Sequence, residues 1–149
     1  MKLKLFTCEV FKREIEYAKA GSKNEVDVEL VEKGLHDRPQ ILREYLQNKI
    51  NSINHPYEAL LLCFGLCGNS TNELVAGKIP MIIPRAHDCA AILLGSHEKY
   101  KELMGDNLSQ AWTSAGYIEC GGSLTREGSE SDLWGGDQKK KYEEYVKLY

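Results

Sequence analysis

Hydrophobic and polar residues change their period several times along the chain, and each change marks an element. In KLKLFT, residues 2–7, Leu3 and Leu5 alternate with polar neighbours, which predicts a short strand. Phe11, Ile15 and Ala18 then recur at helical spacing until Gly21 ends the run. In VDVELV, 26–31, Val26, Val28 and Leu30 alternate with acids, as suits a strand with one wet face. Asp37 is the expected N-cap of the next helix, with Pro39 in its first turn and Gln40 three residues on. Leu42, Tyr45, Leu46, Ile50 and Ile53 form its single apolar stripe. Ala59 to Phe64 is continuously apolar, the pattern of a strand covered on both faces. Ser70 and Glu73 stand at capping-box spacing and predict a short helix ending near Gly77. A fourth strand is expected from Ile79 to Pro84, then a helix from about Asp88 to Gly95 and another, capped by Ser96, towards Met104. Ala115 to Cys120 reads as a fifth strand. Residues 121–136 read as a loop or lid, and the charged stretch 137–149 as a C-terminal helix.

Strands alternating with helices predict an α/β fold: a single Rossmann-like domain over residues 1–149, with helices on both faces of a mostly parallel open sheet of four or five strands. A chain of 149 residues is long enough to bury one core without staples. At 42% hydrophobic, 28% charged and a net charge of −3, the composition is that of an ordinary globular protein. It disfavours a nucleic-acid partner, which needs a surplus of cations. No apolar run approaches the roughly 20 residues that span a bilayer, and MKLKLFTCEV enters a strand pattern directly, so a cytoplasmic protein without a membrane partner is expected. Five cysteines are many for a reducing compartment and an odd number for a disulfide framework, which leaves thiols or metal ligands.

Placement changes the picture more than number does. In an open parallel sheet, every strand-to-helix joint emerges at one edge, where ligands bind. Cys8, His36, Cys67, His87 and Cys89 all fall at such joints, with Asp37 and Asp88 among them. Arg85-Ala86-His87-Asp88-Cys89 alone gathers a guanidinium, an imidazole, a carboxylate and a thiol. A cysteine at a helix N-terminus gains thiolate character, and thiolate both attacks electrophiles and binds soft metals. Cys89, in a first turn, and Cys67, just before one, are so placed. Cys63, inside an apolar strand, belongs to the core, as does Cys120 on balance; His55 and His97 read as solvated.

Three readings follow. In the first, Cys8, Cys67 and Cys89 ligate zinc or an iron–sulfur cluster, with His87 or His36 as a fourth group and Asp88 orienting a histidine. The protein then acts on, or delivers to, a small molecule. Gly65, Gly68 and Asn69, in the turn after the third strand, are the candidate cofactor-contacting positions, although the glycines would equally serve a tight turn. In the second, the protein is a metal-free transferase or hydrolase with Cys67 or Cys89 as nucleophile, His87 as base and Arg85 as anion clamp. In the third, it is an accessory module without chemistry of its own. Neither a P-loop nor GxGxxG is present, so a nucleotide is not indicated.

CEVFKREIE, LHDRP, FGLCGN, IPRAHDC and LLGSHEKY, in that order, resemble the family known as domain of unknown function 1638. The resemblance implies a small cytoplasmic protein of anaerobic bacteria and archaea, linked to corrinoid-dependent methyl transfer, so that a corrinoid or methyltransferase protein becomes the implied partner. It emphasises Cys8, His36, Cys67, His87 and Cys89. Two departures stand out. Phe64 replaces a more usual tyrosine, and relatives extend beyond the region of Tyr149, which raises a second copy of the chain as a means of covering the site.

Overall fold

The computed structural model describes residues 1–54, 56–105 and 112–120. Four parallel strands, β1 (Lys2–Cys8), β2 (Glu25–Val31), β3 (Ala59–Cys63) and β4 (Met81–Ile82), form one sheet in the order β2-β1-β3-β4. β1 is central: Leu5 stands beside Val28 on one side and Leu61 on the other. The chain steps outward from β1 to β2 and then returns to place β3 on β1's other side, so the order reverses between β1 and β3. In such sheets, the crevice at the carboxyl ends of the reversing strands is the ligand-binding position. Right-handed crossovers in the two directions send α1 (Lys12–Ala20) and α2 (Pro39–Asn51) to opposite faces.

The core follows the expected periods. Leu42, Leu46 and Ile50, from the stripe of α2, join Phe6, Val31, Leu60 and Leu62 of the sheet and Val10 and Phe11 of a 3-10 turn, Glu9–Phe11. On the other face, α1 covers its strands incompletely. Ile15 and Ala18 border a cavity of about 470 Å³ with Leu3, Leu5, Val26, Leu61 and Ile82. Among the described residues, no helix is long and apolar enough to cross a membrane.

Several expectations need correction. Ala115 to Cys120 is not a strand: Ala115–Glu119 forms helix α5, whose N-cap Ser114 accepts a hydrogen bond from the Tyr117 amide. The capping-box helix after Ser70 does not form. Ser70 is fully buried and its hydroxyl donates to the Leu66 carbonyl, while left-handed φ values at Cys67, Gly68, Asn69 and Glu73 keep the segment in turns. The fourth strand shrinks to Met81–Ile82. Asp37 does not cap α2. It closes a 3-10 turn, Lys33–Asp37, and pairs with His36, while Arg38 holds the N-cap position without a side-chain bond. The helices α3 (Cys89–Leu94) and α4 (His97–Met104) start where expected, on the side-chain caps Asp88 and Ser96. The loop or lid at 121–136, the helix at 137–149 and His55 lie outside the described residues.

Candidate functional site

The carboxyl ends of β1, β3 and β4 bring cysteines together at the reversal of the sheet. Cys8 is the last residue of β1, and Cys67 lies four residues beyond the end of β3. Cys89 opens α3 after β4, and its sulfur is 3.7 Å from that of Cys67. Two backbone bonds hold the joints side by side: the Leu66 amide donates to the Ala86 carbonyl at 3.0 Å, and the Cys67 amide to the His87 carbonyl at 3.2 Å. Gly65 makes this approach feasible, because a Cβ there would lie 2.6 Å from the Asp88 Cα. Cys67 itself adopts φ of +41°, a conformation that a non-glycine residue holds only against steric cost.

The two thiols are electrostatically unequal. The hydrogen bond from Cys89 holds Cys67 below the ordinary thiol value, against the opposing effect of burial. That same bond and burial push Cys89 far upward. The first proton to leave the pair is therefore that of Cys67, with Cys89 holding its own more tightly. This corrects the expectation that both would be acidified by helix N-termini: no helix follows Cys67, and for Cys89 the bond with Cys67 and burial outweigh α3. Burial pushes Cys8 up to about 11, and Cys67 and Cys120 also act on it through space.

Tyr117, unremarked in the sequence because its segment reads as a strand, packs against the core cluster that contains Cys8 and Cys89. Burial raises its phenol, followed by the influence of Cys89, Cys8 and Cys67. Its ring meets the edge of Trp112 at 5.0 Å, lies 6.2 Å from the His36 ring, and carries the Lys33 ammonium 5.5 Å from its centre. The one signal available in advance is Ser114, a good N-cap three residues before Tyr117.

The remaining expected residues distribute around this centre. His36 is half-buried, with Nε2 3.1 Å from Asp37 Oδ1. His87 is exposed, its Nδ1 3.0 Å from Asp88 Oδ2 and its ring 6.2 Å from that of Tyr100. Arg85 is exposed and borders a shallow groove with Ser96 and His97. Gly68, at φ of +69°, packs its turn against Pro39, and the Asn69 carbonyl accepts from Arg43 at 2.7 Å. Cys63 is half-buried against the core, as is Cys120. Among the described residues, no three His, Cys, Asp or Glu side chains are already arranged to hold a metal ion.

Asp88 is the organiser of the joint. It accepts from the Ala91 amide at 3.0 Å, from the Tyr100 hydroxyl at 2.6 Å and from His87. Burial alone would raise its carboxyl, but these bonds outweigh it and hold the group below the usual carboxylate range. Asp88→Asn is expected to cost about 1–2 kcal/mol at neutral pH through the weakened cap and the Tyr100 bond. A depressed carboxyl contributes stability above its unfolded value, near 3.9, and loses it as pH falls through the folded value. The gap between wild type and variant should therefore close in acid, as urea unfolding at pH 7 and pH 3 would measure. An equal gap at both pH values would remove the charge from this account.

A family model described as "Protein of unknown function (DUF1638)" matches residues 30–148. The chain belongs to the DUF1638 family. The matched span takes in the expected site residues from His36 to Cys89, and Tyr117, while Cys8 precedes it. No curated protein and no solved structure matches the chain. For this DUF1638 member, function rests on the chemistry of the site.

Proposed function

We propose that this DUF1638 protein holds a zinc ion between Cys67 and Cys89, with Cys8 as third ligand, and acts there on a small molecule at the reversal of the sheet. The observation that carries the reading is the 3.7 Å between the two sulfurs. Two thiolates bound to one tetrahedral zinc at about 2.3 Å stand roughly 3.8 Å apart, so the pair has the right spacing before any metal enters. In a four-iron cluster, each cysteine binds a different iron and the sulfurs lie farther apart, which favours the mononuclear site over the cubane. Cys8 is 4% exposed, at the carboxyl end of β1, and within electrostatic reach of both sulfurs, which supports it as the third ligand. Zinc would supply a Lewis acid with an open position, able to deprotonate a bound small-molecule thiol.

This chain's own residues complete the site. Tyr117, whose phenol is raised by burial and within electrostatic reach of the three sulfurs, supplies a hydroxyl able to donate to a ligand's oxygen or sulfur. His36 and Lys33 supply an imidazole and a cation around that ring. Such a site suits one-carbon, sulfur or corrinoid metabolism, and the family resemblance makes a corrinoid or methyltransferase protein the proposed partner. A cytoplasmic location belongs to the same proposal.

Anaerobic purification followed by elemental analysis tests it. The expected result is about one zinc per chain, with retention falling at least tenfold in Cys67→Ser and in Cys89→Ser. Protein that carries no metal, or iron with visible absorption, would overturn the zinc reading. The acidified Cys67 favours a second reading, in which Cys67 is itself the nucleophile of a metal-free transferase or hydrolase, with His87 and Arg85 at the rim. Metal-free protein whose Cys67 alone reacts rapidly with iodoacetamide would support it.

A further inference from the structure

We propose that the metal-free form exchanges disulfides with small molecules, Cys67 attacking and Cys89 resolving. The inference rests on the geometry of the pair and stands whether or not the site takes zinc. Exchange of this kind needs two sulfurs in contact, one of them reachable from solvent and the other shielded. Cys67 is partly exposed on its turn, whereas Cys89 is 3% exposed at the start of α3, and the sulfurs lie 3.7 Å apart. Among the described cysteines, this is the pair in sulfur–sulfur contact.

The steps balance without an unnamed reagent. The Cys67 thiolate attacks one sulfur of a low-molecular-weight disulfide, RSSR, forming a mixed disulfide and releasing RS⁻, which takes up the proton that Cys67 had lost. Cys89 then loses its proton and attacks the Cys67 sulfur, forming the Cys67–Cys89 disulfide and releasing the second thiolate, which takes up that proton. One RSSR is reduced to two RSH while the two protein thiols are oxidised. The sulfurs must close from 3.7 Å to about 2.0 Å. Cys67 lies in a turn whose three successive residues have positive φ, and Cys89 in the first turn of α3. The buried position of Cys89 keeps RSSR out of its reach, so Cys67 attacks first, which fixes the order of events.

The experiment uses the full chain, stripped with a chelator under anaerobic conditions and incubated with oxidised glutathione. Remaining thiols are then alkylated and the peptides mapped. Cys63 shares a tryptic peptide with Cys67, so a Cys63→Ser background removes the ambiguity. The expected product is one internal crosslink joining positions 67 and 89, with Cys8 and Cys120 alkylated. In Cys89→Ser the reaction should stop at a glutathione adduct on Cys67, at least about tenfold above any other cysteine. Glutathione spread evenly over the thiols, or an adduct forming on Cys89 as readily in Cys67→Ser, would overturn the proposal. Should Cys89→Ser fail to fold, the crosslink map of the Cys63→Ser protein decides alone. Zinc analysis of the untreated protein is a separate measurement, so failure of one reading leaves the other standing.

Discussion

Gly65→Ala is expected to lower the melting temperature by roughly 10 °C and to pull Cys67 away from Cys89. The added methyl would sit 2.6 Å from the Cα, 2.7 Å from the carbonyl carbon and 2.9 Å from the nitrogen of Asp88. All three atoms are backbone, so no side-chain rotation relieves the clash, and the joint must separate. Separation breaks the Leu66–Ala86 and Cys67–His87 bonds and disturbs Asp88, which caps α3 and anchors Tyr100. Overpacking of this kind costs about 3 kcal/mol. Circular dichroism measures the melting, and the fraction of chains that a short dithiol-bridging reagent crosslinks at 67 and 89 measures the separation. A variant that melts with the wild type and bridges normally would show that the close approach is not what holds the sulfurs together.

A different kind of loss is expected from Gly116→Ala. Its methyl would meet the Val10 carbonyl oxygen at 1.7 Å and the carbon behind it at 2.6 Å. Val10 is fully buried in the turn that follows Cys8, so that oxygen has nowhere to go. α5 must lift, taking Tyr117 off the core cluster that contains Cys8 and Cys89 and ending its edge contact with Trp112. Because α5 packs on this turn and not between strands, the sheet should survive with a small change in melting. Trp112 emission, read in a Trp134→Phe background, should shift to the red, and alkylation of Cys8 should accelerate by roughly tenfold as the local cover opens. Unchanged emission and unchanged labelling would refute the placement of α5.

Comparison of the two glycines shows where the sequence was readable. The strand-end rule placed Cys67 and Cys89 together because β1, β2 and β3 have clear periods and parallel sheets gather their joints. What it could not supply was the contact distance, which depends on a glycine meeting a backbone 23 residues away. Ala115 to Cys120 misled because a five-residue helix has too few turns to display a helical period. Its identity lies in the Ser114 cap and in a glycine pressed against Val10, so Tyr117 stayed hidden with it. Ser70 and Glu73 misled for the opposite reason. Their spacing matches a cap, but the chain needed Ser70 buried and Glu73 in a left-handed turn to dock the Cys67 segment on α2, where Arg43 reaches both Asn69 and Glu73. The acids of β2 were legible as a wet face, since Lys4 pairs there with Asp27 and Glu29.

β1 stands at the centre of the sheet although it is synthesised first, and this imposes a schedule on the nascent protein. Its far flank has no neighbour until residues 59–63 have left the ribosome, and the joint that carries Cys89 follows later still. Over that interval Cys8, at the carboxyl end of β1, is expected to lack the cover that the finished sheet gives it. Truncated chains ending before β4 should therefore be the species most vulnerable to stray oxidation, and the finished sheet is what removes the hazard.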